Sequence, residues 1–181
     1  MRKLILSMFM SLDGYVEGPG GEFAPPPWSD DVGREWSGWA TEAGGHILYG
    51  RANFEFNKAF WTSDEAKGMP QTPFMTATAK SVASRTLSGD LGWNGHAVGD
   101  LAAEVARLKA LPGKDVLSFG GAGLAHSLIE QDLVDEYRLM ITPVLLGGGK
   151  RLFPDGVRRD LKLVEDKRLD VGSVILRYAR A

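Results

Sequence analysis

The sequence has no cysteine and only three histidines among its 181 residues. The absence of cysteine excludes disulfide bonds, thiolate metal sites and cysteine nucleophiles together. His46, His96 and His126 are widely separated, so no local spacing indicates a metal site. No segment approaches the roughly 20 consecutive apolar residues of a membrane-spanning helix.

The sequence has no run of residues with like charge, and its formal net charge is −2. This pattern does not indicate nucleic acid or a membrane surface as partner. Arg2 and Lys3 precede an apolar run, as in a signal peptide, but Asp13-Gly14 interrupts that run and no cleavage pattern follows. We therefore expect a cytoplasmic protein that forms a single domain over residues 1–181.

Short apolar runs alternate with segments of helical periodicity along the chain. The predicted strands are Leu4–Met10, His46–Tyr49, Lys80–Ser84, Val116–Phe119 and Tyr137–Thr142, with a C-terminal hairpin formed by Leu161–Arg168 and Val171–Tyr178. Helices are predicted from Ser29 or Asp30 to Ala43, from Gly50, from Asp100 to about Leu111, and from Gly121 to Gln131, with loops at Glu17–Pro27 and Thr62–Pro73. The alternation predicts an α/β fold with a mostly parallel sheet and an antiparallel C-terminal hairpin. Ligands of such sheets bind beyond the carboxyl ends of the strands.

Three of the predicted strand ends carry residues suited to a phosphorylated dinucleotide. The glycines of Phe119–Gly123 allow an anionic group to approach the backbone at a helix N-terminus. Arg51 opens a second helix, and Ser84 and Arg85 follow a third strand, where a hydroxyl beside a guanidinium suits a phosphate monoester. Taken singly, each segment is more typical of a tight turn or an exposed polar surface than of a ligand site. Their joint occurrence favours a dinucleotide site.

These segments, taken with others, resemble the dihydrofolate-reductase-like superfamily. Within it, the chain is most similar to the reductase domain of the bifunctional riboflavin-biosynthesis deaminase-reductase and its stand-alone relatives. The blocks that carry the resemblance are Ser11–Tyr15, Tyr49–Phe54, Ser84–Leu87, Phe119–Gly123, Asp135–Tyr137 and Thr142–Phe153. The zinc deaminase half of the bifunctional enzyme requires cysteine ligands, which this sequence does not have.

The resemblance implies an eight-stranded sheet, NADPH bound in an extended conformation, and direct hydride transfer to a substrate. It places Arg51, Ser84 and Arg85 against the adenosine 2′-phosphate. It also places a set of residues around the pyrophosphate: Gly120, Gly121, Ala122, Gly123 and Leu124. Asn53 stands where relatives often have threonine, which keeps a capping side chain but removes a hydroxyl.

The substrate side of the predicted site is less specific. Reduction of a C=N or C=O bond needs a proton source, and the candidates are Asp13, in the loop expected over the nicotinamide, and Asp31, with Asp30 and Glu35 nearby. Asp13 is equally explained as a turn former, and acids at a helix start as partners of the helix dipole. Trp28, Trp36 and Trp39 are typical of a core or dimer contact and also suit the wall of a planar substrate site.

Three hypotheses follow from the sequence. The first is an NADPH-dependent reductase of a pyrimidine- or pterin-like compound, for which the family activity is 5-amino-6-(5-phosphoribosylamino)uracil reduction. The second is a non-catalytic nucleotide-binding protein, and the third is a dimeric structural protein on the same fold. The resemblance also predicts a homodimer. A generic Rossmann domain is disfavoured, because no G-x-G-x-x-G motif follows the first strand.

Overall fold

The computed structural model describes residues 1–23 and 25–181; Ala24, within the predicted loop Glu17–Pro27, lies outside the described residues. The strands are β1 (Leu4–Ser11), β2 (Tyr15–Glu17), β3 (Gly44–Gly50), β4 (Lys80–Ala83), β5 (Asp90–Gly92), β6 (Gly95–Val98), β7 (Asp115–Ser118), β8 (Glu136–Thr142), β9 (Lys150–Arg151), β10 (Leu161–Arg168) and β11 (Val174–Arg180). The helices are α1 (Asp30–Val32), a π-helical segment over Gly33–Gly38, α2 (Trp39–Ala43), α3 (Arg51–Trp61), α4 (Thr72–Ala77), α5 (Leu101–Ala110) and α6 (Ala122–Glu130).

Nine of the strands form one sheet, in the order β10-β11-β8-β1-β7-β3-β4-β6-β5. The six strands from β8 to β6 in that order are mutually parallel, and the C-terminal hairpin β10–β11 adds antiparallel to β8. The predicted α/β class is therefore confirmed. The sheet has nine strands rather than the eight that the resemblance implies, because the three-residue β5 folds back on β6 at the edge.

Helices cover both faces of the sheet. On one face, α5 and α6 bury apolar side chains against β1, β3 and β8 in the largest core cluster, which includes Leu6, Leu48, Leu108 and Leu128. On the other face, α3 and α4 pack over β3 and β4, and the helical stretch from α1 to α2 packs over β1, β7, β8 and β11. Since the parallel strands share one direction, their carboxyl ends lie along a single edge between these layers.

Several local elements differ from the sequence prediction, among them α4 and the π-helical segment. The loop predicted over Thr62–Pro73 ends in α4, because proline is tolerated in the first turn of a helix and Met75 is buried beneath it. The predicted helix from Asp30 to Ala43 is present and has the expected Ser29 cap, but its middle is π-helical. No helix in the described part of the chain is long and apolar enough to cross a bilayer.

Candidate active site

A cleft of about 800 Å³ opens at the carboxyl ends of β3, β4 and β6, beside the start of α6. The cofactor-site residues that line it are Arg51, Asn53, Ser84, Arg85, Gly121, Gly123 and Leu124. The structure thus brings residues from three separate segments, which the sequence predicts to share one ligand, around one opening. Its volume is within the range of small-molecule sites.

Two helices begin at this cleft without a side-chain cap. The N-caps of α3 and α6 are Gly50 and Gly121, and neither has a side chain to accept a hydrogen bond from the first turn. The first backbone N–H groups and the positive ends of both helix dipoles are therefore available to an anion. By contrast, α5 begins at the same cleft with Asp100 as N-cap, whose carboxylate accepts a hydrogen bond from Ala103 N at 3.0 Å.

The glycine turn before α6 has a backbone that other residues rarely adopt. Gly120 and Gly121 have φ values of 108° and 84°. Asn53 fastens this turn to α3, because its side-chain amide donates to the Phe119 carbonyl at 3.3 Å. Asn53 therefore holds the turn in position. Gly120 and Ala122 are buried behind the turn and do not line the cleft.

The basic side chains at the cleft differ in their partners. Arg51 is half exposed, and its guanidinium donates to Glu55 at 2.9 Å and to the Thr86 hydroxyl at 3.2 Å. Arg85 is exposed and has no ion-pair partner within 4.0 Å among the described residues. The Ser84 hydroxyl accepts hydrogen bonds from the backbone of the turn that carries Arg85, at Leu87 N (3.0 Å) and Thr86 N (3.2 Å).

Asp13 lies outside the cleft and is held by its own neighbourhood. Its carboxylate accepts hydrogen bonds from the Ser11 hydroxyl at 2.6 Å and from the backbone N–H groups of Leu146 and Gly147 at 3.1 and 2.8 Å. These bonds, that from Ser11 foremost, lower the pKa of Asp13 to about 2. The side chain is therefore ionised at neutral pH, which favours a role in joining two loops over a role as proton donor.

Asp31 is also outside the cleft, at the start of the helical stretch over β8 and β11. Its carboxylate accepts from the Asp170 backbone N–H at 3.2 Å and pairs with Arg34 at 3.1 Å. The Ser29 hydroxyl in turn donates to the Asp170 carboxylate at 2.6 Å. Asp31 therefore lies at the same sheet edge as the cleft, but nearer to the end of β8.

Between these two regions, aromatic side chains gather at the end of β1. The Trp36 ring stacks on Phe9 with centroids 4.1 Å apart and lies 6.1 Å from the ring of Phe119. Phe23 approaches Phe9 at 5.6 Å from the loop that follows β2. These four residues, Phe9, Phe23, Trp36 and Phe119, are called the aromatic cluster below.

Arg138 anchors the helical segment that carries Trp36, and the sequence analysis did not identify it. Its side chain is 2% exposed, stacks 4.2 Å from the Trp39 ring and donates a hydrogen bond to the Glu35 carbonyl. Glu35 lies within the π-helical segment, where backbone carbonyls depart from the α-helical pairing. Burial lowers the pKa of Arg138 to about 10. An arginine within the hydrophobic alternation of β8 is the one sequence signal that could have indicated this role.

The comparison with protein-family models is decisive for the family. The model of the RibD C-terminal domain matches residues 2–175. The chain belongs to the RibD C-terminal domain family. Among curated proteins, Uncharacterized protein YyaP of Bacillus subtilis (strain 168) is 34% identical over 181 residues, covering 98% of this chain and 94% of YyaP. Uncharacterized protein YwjB of the same organism is 26% identical, with 99% of both chains covered.

Solved structures share the fold of this RibD C-terminal domain. One is the "Putative riboflavin biosynthesis protein" of Shewanella sp. PV-4, with a TM-score of 0.76, 23% identity and 99% of both chains covered. Another is the deaminase/5-amino-6-(5-phosphoribosylamino)uracil reductase of Thermotoga maritima, with a TM-score of 0.70 and 14% identity. The present chain covers 57% of that longer protein. Together with the family, these likenesses identify the fold as dihydrofolate-reductase-like.

Within residues 1–23 and 25–181, the chain presents no group of three or more histidine, cysteine or acidic side chains arranged for a metal ion. The groups available for a ligand are thus the arginines, the backbone N–H groups of two helices, and the aromatic cluster. This donor set fits a phosphorylated dinucleotide beside a planar molecule.

Proposed function

We propose that the protein is an NADPH-dependent reductase that transfers a hydride to a small planar heterocycle. The observation that carries the proposal is the convergence of Arg51, Ser84 and Arg85 with the uncapped starts of α3 and α6 around one cleft. The family supports a reductase, and the cleft supports the phosphorylated cofactor. A homodimer is a further expectation from the family resemblance.

In this proposal, different residues of the cleft bind different parts of the cofactor. Arg85, whose guanidinium has no ion-pair partner among the described residues, and Arg51 bind the 2′-phosphate, since charge-assisted hydrogen bonds to phosphate are the strongest that arginine makes. The backbone N–H groups that begin at Gly121 bind the pyrophosphate. When bound, NADPH supplies a hydride, and the heteroatom of the reduced bond takes up a proton from the protein or from water.

The sheet order supports a substrate position at the end of β1. From the cleft at β4 and β3, the next strands are β7, with its glycine turn, and then β1. An extended cofactor that crosses this turn leads to the end of β1, where the aromatic cluster lies. Of the two predicted proton donors, Asp31 is the less occupied. Its carboxylate accepts one backbone hydrogen bond and pairs with the exposed Arg34, whereas that of Asp13 accepts three hydrogen bonds.

The proposal is tested by cofactor binding. At equal concentration, NADPH should raise the melting temperature more than NADH, because only NADPH carries the 2′-phosphate that Arg51 and Arg85 bind. Equal shifts would contradict the 2′-phosphate assignment, and no shift with either cofactor would contradict the reductase.

A second candidate is a nucleotide-binding protein without catalytic activity. The hydrogen bonds to the Asp13 carboxylate favour it, since Ser11, Leu146 and Gly147 occupy the oxygens from which this predicted donor would deliver a proton. This candidate predicts tight NADPH binding without NADPH oxidation across a panel of reducible heterocycles, whereas the reductase predicts loss of nicotinamide absorbance with at least one of them.

A further inference from the structure

Arg51 is held at two points by residues from different segments of the chain. Its Nε donates a hydrogen bond to the Glu55 carboxylate at 2.9 Å, within α3. Its Nη1 donates to the Thr86 hydroxyl at 3.2 Å, in the turn that follows β4. Its Nη2 makes no hydrogen bond with the described residues. The guanidinium at the cleft is therefore fixed on two of its three nitrogens.

The pairing of β3 with β4 brings the two contacts together. Gly50 and Ala83 are partners in this parallel ladder, so Arg51 and Ser84 begin the segments that follow at neighbouring strand ends. Neighbouring strands lie only about 4.8 Å apart. The Ser84 hydroxyl accepts from Thr86 N at 3.2 Å, which fixes the turn that carries the Thr86 hydroxyl. Thr86 thus joins the start of α3 to a turn 35 positions away in sequence.

The stability of α3 does not explain the Arg51–Glu55 pair. Arg51 is the first residue of α3, where the positive end of the helix dipole disfavours a cation. The pair also runs from base to acid along the helix, which is the weaker order for residues at i and i+4. Both side chains are about half exposed, and exposed pairs contribute little to stability. A pair that the helix itself disfavours indicates a functional constraint.

Arg85, the other arginine of the cleft, has no such support. It is exposed and makes no ion pair within 4.0 Å among the described residues. Because its side chain is free, Arg85 must lose conformational entropy when it binds a phosphate. Arg51 has lost part of this entropy on folding, since two of its nitrogens are already bonded. Binding through Arg51 therefore costs less.

We infer, on the basis of the proposed function, that Glu55 and Thr86 are positioning residues that act through Arg51 and give the site its preference for NADPH over NADH. Glu55 occupies Nε and Thr86 occupies Nη1, so Nη2 remains for the 2′-phosphate. Neither residue needs to contact the cofactor. Glu55 contributes through its acceptor oxygen and not through its charge, because a carboxylate near a phosphate opposes binding.

The first test measures the dissociation constants of NADPH and NADH by calorimetric titration of two Thr86 variants. Thr86→Val removes the hydroxyl and keeps the shape of the side chain, whereas Thr86→Ser keeps the hydroxyl. We expect Thr86→Val to weaken NADPH binding by about three- to tenfold, the effect of freeing one long side chain, and to leave NADH binding unchanged. Thr86→Ser should leave the binding of both cofactors unchanged. An unaltered affinity of Thr86→Val for NADPH, or equal losses for NADPH and NADH, would overturn the inference.

The second test separates the hydrogen bond of Glu55 from its charge. Glu55→Ala and Glu55→Gln both remove the negative charge, and only Glu55→Gln keeps an oxygen that can accept from Arg51 Nε. We expect Glu55→Ala to bind NADPH about three- to tenfold more weakly than Glu55→Gln does, with no difference for NADH. Equal affinities of the two variants for NADPH would overturn the role of Glu55.

The third test asks whether these residues act through Arg51. In the Arg51→Ala background, Thr86→Val should have no further effect on NADPH binding, because the side chain that Thr86 positions is gone. A full effect of Thr86→Val in that background would show direct contact with the cofactor and would overturn the inference. Unchanged NADPH binding by Arg51→Ala alone would contradict the 2′-phosphate assignment of the proposed function, and the inference with it.

Discussion

The two halves of the sheet edge are built in opposite ways. At the ends of β3, β4 and β6, the cleft has two uncapped helix starts and an arginine, Arg85, without an ion-pair partner among the described residues. At the ends of β1 and β8, the charged groups are largely occupied by one another or by backbone groups, and the exposed area is aromatic. One half is therefore suited to bind an anion, and the other to hold a planar group next to it.

The largest expected effect is on the reaction rate, and it distinguishes the carboxylate of Asp31 from that of Asp13 in the aromatic half. If Asp31 is the proton donor, Asp31→Asn should lower the rate of NADPH oxidation by about 10²–10⁴-fold, the usual contribution of a general acid. Asp13→Asn should lower it less than about tenfold, since Asp13 is ionised and holds Gly147 N and Leu146 N. Single-turnover rates with an identified substrate measure both. The reverse order would make Asp13 the donor.

Acid should weaken the cofactor half first. His46 lies on β3, where its imidazole bonds to the Ser81 hydroxyl of the neighbouring β4 at 2.8 Å, and Ser81 donates to Glu104 on α5. Burial, reinforced by Arg2, lowers the pKa of His46 from 6.5 to about 4. Because the pKa of His46 is lower in the folded protein, the unfolded chain takes up a proton on His46 at a higher pH than the folded protein does. The folded state therefore has its full stability from this residue above about pH 6.5. As the pH falls towards 4, the free energy of unfolding decreases by up to about 3 kcal/mol.

Two measurements check this pH dependence. Urea unfolding between pH 7 and pH 4 should show a slope that His46→Gln flattens and that His126→Gln, at a partly exposed histidine on α6, leaves unchanged. Amide exchange should accelerate in β4 and α5 before β8 and β11. Earlier exchange in β8 would show that acid weakens the aromatic half before the cofactor half, which contradicts the prediction.

The contrast between the cofactor half and the aromatic half also explains which parts of the fold and of the site could be predicted from the sequence. Most of the cofactor residues lie at strand-to-helix junctions, where a few consecutive residues such as Gly120 and Gly121 determine both the turn and the helix start. The sheet follows from strand patterns for the same reason. The short β5 and β6 and the helix α4 were missed, because their segments carry weak apolar periodicity.

The aromatic half depends on contacts between distant residues. Arg138 bonds to Glu35 across 103 positions, and Gly147 to Asp13 across 134. No local pattern reports such a pairing. Asp13 looks like a catalytic acid in its motif, and only the folded chain shows that loop N–H groups occupy it.

The next effect concerns the charge of the cofactor half. Arg85→Ala should weaken NADPH binding by about 1.5–3 kcal/mol, the range for hydrogen bonds to charged groups, and should leave NADH binding nearly unchanged. Arg34→Ala, at an exposed arginine of the aromatic half, is the matched control and should affect neither cofactor. Calorimetric titration gives both constants. Similar losses for NADPH and NADH would point to structural damage instead of a lost phosphate contact.

The smallest expected effect concerns the backbone of the glycine turn. Gly121 has a φ of 84°, and a Cβ there would lie 3.5 Å from Asn53 Cβ. Gly121→Val should therefore lower the free energy of unfolding by about 1–2 kcal/mol, because a left-handed backbone disfavours side chains. Gly123→Ala is the control: it lies two residues further along, in the first turn of α6, where a Cβ meets nothing within 4 Å. It should leave stability unchanged or raise it by up to about 1 kcal/mol. Equal stability of the two variants would show that the positive φ of Gly121 is not required for folding. Anion binding in the cofactor half would then depend on its arginines alone.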